Sequence, residues 1–69
     1  MYHIDTQALQ MRIKEEETTV EALAKEIGVD RATLYRRMKT GKLRIGDVHG
    51  LCDALGLSKE EAVNIFLAQ

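Results

Sequence analysis

TTVEALAKEIGVDRATLYRRM, residues 18–38, reads as two short helices joined by a tight turn. The first begins at a capping Thr19 and carries Val20, Leu23, Ala24 and Ile27 on one side at helical spacing; Thr18 with Glu21 offers a capping box one residue earlier. Gly28 then supplies the left-handed backbone that closes a helix, Val29 is available to fill the angle, and Asp30 caps the second helix. That helix, Arg31 to about Lys39, places Leu34 and Met38 on one face and leaves Arg31, Tyr35, Arg36 and Lys39 to face outward. A basic helix braced by a partner across a sharp turn has the shape that enters the major groove of DNA.

The charges reinforce this reading. The formal net charge is only -1, yet residues 31–44 hold Arg31, Arg36, Arg37, Lys39, Lys42 and Arg44 with no acid among them. The acids gather before that stretch, at Glu15, Glu16, Glu17, Glu21 and Glu26, and after it, at Asp47, Asp53, Glu60 and Glu61. Segregation of this kind predicts one positive face on an acidic body, which a polyanion would draw in a limited set of orientations.

Around the central pair the same reasoning predicts three more helices. Asp5 caps a first helix to about Glu16, with Ala8, Leu9 and Ile13 as its stripe and Met11 and Arg12 nearer the edge. Thr40 and Gly41 end the third, and Leu43 and Ile45 bracket Arg44 in a loop expected to fold back across the core. A fourth helix, from about Gly46 to Leu55, contributes Val48, Leu51, Cys52 and Leu55, with Gly50 weakening it by roughly 1 kcal/mol relative to alanine. Gly56 closes it, and Ser58 with Glu61 forms a capping box for a last helix from Lys59 to near Leu67. The expected fold is all-α, a compact five-helix bundle forming one domain over residues 1–69.

A chain of 69 residues without proline or tryptophan builds its core from Leu, Ile, Val, Ala and Met, and is small for an enzyme with an enclosed pocket. Cys52 is the single cysteine, so no disulfide can form within the chain, and cysteine–histidine zinc spacings are missing. His3 and His49 stand apart and read as surface histidines, and Cys52 has no identifiable base. The expectation is a cytoplasmic protein with no catalytic residue, metal, cofactor or small-molecule ligand, and with no membrane segment. The last helix carries more apolar surface than one face needs: Ala62, Ile65 and Phe66 can point inward while Val63 and Leu67 lie on a neighbouring flank, so Val63, Phe66 and Leu67 are candidates for a homodimer contact unless all of it closes the core.

TVEALAKEIGVDRATLYRRMKTGK, residues 19–42, resembles the second and third helices of the helix-turn-helix domain of phage repressor and Cro type, the lambda repressor-like DNA-binding domain. Leu23, Ala24, Ile27, Gly28, Val29, Thr33 and Leu34 occupy its core and turn positions, and LRIGDVHGLCDALGLSKEEAVNIF, residues 43–66, resembles the fourth and fifth helices of short phage-encoded members. The resemblance implies that the start of the third helix reads base edges, through Arg31, Ala32 and Thr33, with Tyr35 and Arg36 on the next exposed turn. Two positions depart from the pattern. Val20 stands where a phosphate-holding glutamine is common, leaving the amides at the Thr19 end of the helix to receive the phosphate. Arg44 stands where some relatives have a capping hydroxyl residue, and it could reach DNA instead.

The chemistry of each side chain suits these positions. Arg31 and Arg36 can each donate two hydrogen bonds to guanine O6 and N7, while Ala32 and Thr33 can meet a thymine methyl; Thr33 can equally pack against the turn. Tyr35 can lie on sugar, donate to phosphate or touch a base, and Arg37, Lys39, Lys42 and Arg44 suit phosphate. The expected function is a sequence-specific regulator of double-stranded DNA, Cro-like, acting as a dimer on a palindromic operator and repressing by occupancy. A protein-interaction module, antitoxin-like or anti-repressor, using the last helix is the alternative. A nucleoid-like architectural protein is a third.

Overall fold

The computed structural model describes residues 1–69. It contains five helices: α1 (Thr6–Glu15), α2 (Val20–Ile27), α3 (Arg31–Thr40), α4 (Ile45–Leu55) and α5 (Lys59–Phe66). The caps follow from local chemistry. Asp5, Thr19 and Asp30 accept amide hydrogen bonds at the starts of α1, α2 and α3, from Ala8 (3.0 Å), Ala22 (3.1 Å), and Ala32 and Thr33 (3.0 and 3.3 Å). Thr19, not Thr18, is therefore the cap of α2. At α5 the full box forms: Ser58 Oγ accepts from Glu61 N–H and Glu61 accepts from Ser58 N–H.

Leu9, Ile13, Leu23, Ala24, Leu34, Met38, Leu51, Leu55, Ile65 and Phe66 form one continuous core to which every helix contributes. Each fully buried leucine contributes roughly 1.5–3 kcal/mol relative to exposure, so the paired leucines of α4 matter as much as those of the central helices. Helix α2 sits at the centre of the bundle and packs on both α3 and α4, while α1 packs on α5. The α2–α3 turn is short because Gly28 takes φ 78°, which lets Val29 N–H reach back to the Ala24 carbonyl at 2.9 Å.

Three features lie outside the sequence reading. Gly50 faces Ile27 so closely that a Cβ at position 50 would fall 2.5 Å from Ile27 Cγ2, so this glycine, whatever it costs α4 in propensity, sets the α2–α4 spacing. The chain ends lie side by side: His3 and Ala68 exchange backbone hydrogen bonds of 2.8 and 2.9 Å, and Asp5 N–H donates to the Ile65 carbonyl at 2.7 Å. Arg12, expected at the edge of α1, pairs with Glu61 of α5 and with Glu16 of its own helix.

The loop before α4 also differs from expectation. Leu43 packs against the core, but Ile45 is the first residue of α4 and is 74% exposed. The helix starts here because the Asp47 carboxylate accepts from Arg44 N–H at 3.0 Å, the acidic half of a capping box. The Arg44 guanidinium has no acceptor to complete the other half.

Candidate nucleic-acid interface

Helix α3 is fixed by its inner face. Leu34 and Met38 are buried in the core at a spacing of four, and this rotation turns Arg31, Ala32, Tyr35, Arg36 and Lys39 outward, all of them exposed. Thr33 is half-buried between the two faces. The first turn of α3 holds no acid, and its only carboxylate, on the capping Asp30, is occupied by the amides of Ala32 and Thr33. Lys39 Nζ lies 5.6 Å from the centroid of the Tyr35 ring, so the ammonium covers one face of an aromatic side chain that is 45% exposed.

Beside this row stands the start of α2. Thr19, Val20, Glu21, Arg31 and Tyr35 line one shallow depression, which brings the Thr19 cap next to the first and fifth residues of α3. Val20 is half-buried, as its packing against the core requires, so the groups facing outward at this end are the Thr19 hydroxyl and the free amides of the first turn. Glu21 is the one acid on the rim.

The remaining cations divide into two kinds. Arg37 was expected among the phosphate-contacting residues, but its guanidinium Nη1 lies 3.1 and 3.3 Å from the two Asp47 carboxylate oxygens. The pair is largely withdrawn from water, with the Arg37 side chain 18% and the Asp47 side chain 8% exposed. In contrast, Arg31, Arg36, Lys39, Lys42 and Arg44 are exposed and have no carboxylate within ion-pair distance. Lys42 and Arg44 sit on the connection from α3 to α4, at one end of the same surface. The Arg37–Asp47 pair was missed because nothing local joins positions ten apart on two helices; the signal available was an acid three residues into α4 behind a residue that cannot cap.

Of the residues expected at a dimer contact, Val63 and Leu67 are 46% and 49% exposed, whereas Phe66 is only 8% exposed and belongs to the core. Phe66 turns inward with Ile65 and Ala62 to join the core on the side of α5 that packs on α1. Val63 and Leu67 border an open, mainly hydrophobic cleft of about 450 Å³ shared with Tyr2, Leu43, Ile45 and Val48.

The other reactive groups are separate from this surface. Cys52 is half-buried, and desolvation, with a smaller contribution from the Asp53 charge, pushes its thiol up, away from the thiolate form. His3 lies beside the chain ends and His49 on the outside of α4. No helix is long and apolar enough to cross a membrane.

The family model for the Cro/C1-type HTH DNA-binding domain matches residues 8–65, from the first helix into the last. Neither a curated protein nor a solved structure matches the chain. The chain belongs to the Cro/C1-type helix-turn-helix family, and its α2–turn–α3 unit is the helix-turn-helix.

Proposed function

We propose that this DNA-binding domain is a sequence-specific, Cro-like repressor that inserts α3 into the major groove of a palindromic operator and acts by occupying it. The observation that carries the reading is the outward row of α3, in which Arg31, Tyr35, Arg36 and Lys39 are exposed with no intramolecular carboxylate to neutralise the cations. In this reading Arg31, Ala32, Thr33, Tyr35 and Arg36 meet base edges, with the two arginines bidentate to guanine. Thr19, Lys39, Lys42 and Arg44 hold phosphate on either side and set the register. Repression then requires only that the bound protein exclude polymerase.

A homodimer fits the palindrome. The molecule measures 29 × 22 × 19 Å, so two copies side by side are of a size to cover two half-sites about 34 Å apart. The same apolar cleft also supports a second reading, in which the domain docks a different protein through α5.

Selection of bound duplexes from a random library at near-physiological salt, with the Arg31→Ala and Arg36→Ala proteins alongside, tests the proposal. An enriched palindrome whose preference relaxes at particular positions in each variant is the expected result. Similar affinity for unrelated duplexes would make the protein architectural, and absence of binding by folded wild-type protein would move the function to the α5 face.

A further inference from the structure

The connection between α3 and α4, Gly41–Arg44, carries two of the five unpaired cations of the α3 surface, and both of its ends are held by the same two residues. At its start, Lys42 N–H donates to the Arg37 carbonyl at 2.9 Å. At its finish, Arg44 N–H donates to Asp47 Oδ2 at 3.0 Å. The circle closes through the side chains, where Arg37 Nη1 donates to both Asp47 oxygens. Arg37 and Asp47 thus bracket the segment from two helices, using a backbone acceptor at one end and a carboxylate at the other.

We propose that Arg37 and Asp47 are positioning residues for DNA binding, which act by holding Lys42 and Arg44 in place against the backbone that flanks the α3 site. This rests on the DNA-binding reading above and goes beyond it by giving an ion pair within the protein a role in phosphate recognition. Leu43 already anchors the middle of the segment on the core; backbone left loose on either side of it, at Lys42 and Arg44, would have to be ordered at the moment of binding, at the expense of affinity, and the bracket moves that cost into folding. Two long basic side chains on a held backbone reach phosphates at a set separation, whereas on a mobile backbone each contact forms only part of the time.

The test separates this role from its opposite. Affinity of wild-type, Asp47→Asn and Arg37→Lys proteins for a mixed-sequence 30-base-pair duplex is measured by fluorescence anisotropy from about 50 to 300 mM salt, where each phosphate contact contributes about 0.9 to the log–log slope. Circular dichroism melts confirm that each protein is folded at the measuring temperature. Asp47→Asn keeps an oxygen for Arg44 N–H but removes the charge that holds Arg37. We expect binding about tenfold weaker and a slope shallower by about 0.9 to 1.8, equivalent to one or two phosphates lost. Arg37→Lys, which keeps the charge but replaces the planar guanidinium with a flexible, more strongly hydrated ammonium, shifts the slope in the same direction.

If Arg37 were itself a phosphate ligand restrained by Asp47, Asp47→Asn would release it, tightening binding and steepening the slope. That result overturns the proposal. So does an unchanged slope in folded protein with a lowered melting temperature, which marks the pair as structural only. Wild-type protein that fails to bind any duplex rejects the DNA-binding reading itself, a distinct outcome from either.

Discussion

Gly50 and Ile27 are in contact where α4 packs on α2, with no room for a methyl group between them. Placing alanine in the middle of a helix ordinarily stabilises it by about 1 kcal/mol relative to glycine. Here the new Cβ would meet Ile27 Cγ2 at 2.5 Å and Cβ at 3.1 Å, both on a stiff branched side chain close to its backbone. Gly50→Ala is therefore expected to destabilise the fold by about 1–3 kcal/mol, as overpacking does. Urea denaturation reads the sign directly, and adding Ile27→Ala should recover part of the loss; a stabilised Gly50→Ala protein contradicts the packing.

Glu17 ends α1 with φ 54°, the only non-glycine residue at positive φ. It occupies the position after the Glu16 cap, and the following Thr18 N–H returns to the Ile13 carbonyl at 3.2 Å. Glycine relieves the steric cost there, less the entropy it adds to the unfolded chain, so Glu17→Gly should stabilise the protein by about 0.5–1 kcal/mol. Thermal melts that place the variant below wild type would remove strain at this turn as an explanation.

Glu61 gives stability an acid limb. The Ser58 amide, and then the Arg12 guanidinium, hold its carboxyl below the usual carboxylate range in the native state. A depressed native pKa means that the contribution is complete above the ordinary, unfolded value and is lost as pH falls through the native one. In urea titrations repeated from about pH 7 to pH 2, Glu61→Gln should be less stable than wild type at neutral pH, and the two curves should converge in acid. Parallel curves would show that another carboxylate produces the limb.

Neighbouring residues of α5 should behave in opposite ways. Phe66→Ala removes a core side chain and is expected to cost about 3–5 kcal/mol, enough to unfold a small domain. Leu67→Glu changes a half-exposed position and should leave the monomer's melt nearly intact while abolishing any dimer seen by sedimentation. A dimer that survives both Leu67→Glu and Val63→Glu would have to use another face.

What was legible in the sequence was what neighbouring residues determine. Thr19, Asp30 and Ser58 with Glu61 cap their helices because a short polar side chain reaches only the next turn, and Gly28 turns the chain where the apolar spacing stops. The outward row of α3 was legible as the complement of Leu34 and Met38. The rest depends on contacts between distant positions. Arg12 meets Glu61 and Arg37 meets Asp47 only once the helices have been packed, so an arginine expected to face phosphate is found paired within the protein. The inward set of α5, with Phe66 in it and Leu67 on its flank, was legible from spacing; that Phe66 lies too deep to share in a dimer contact depends on how α5 packs on α1.

The paired backbones of His3 and Ala68 close residues 3–68 very nearly into a ring. A short peptide bridge between the ends would complete it without moving a helix, and the chain could then be reopened at an exposed turn such as the one around Gly56. A circularly permuted protein of that kind would carry no chain end beside Tyr2 and Leu67 on the cleft they share. A segment joined before Tyr2 or after Leu67, an affinity tag included, sits beside that cleft. Oligomerisation assays should therefore compare tagged protein with protein freed of its tag.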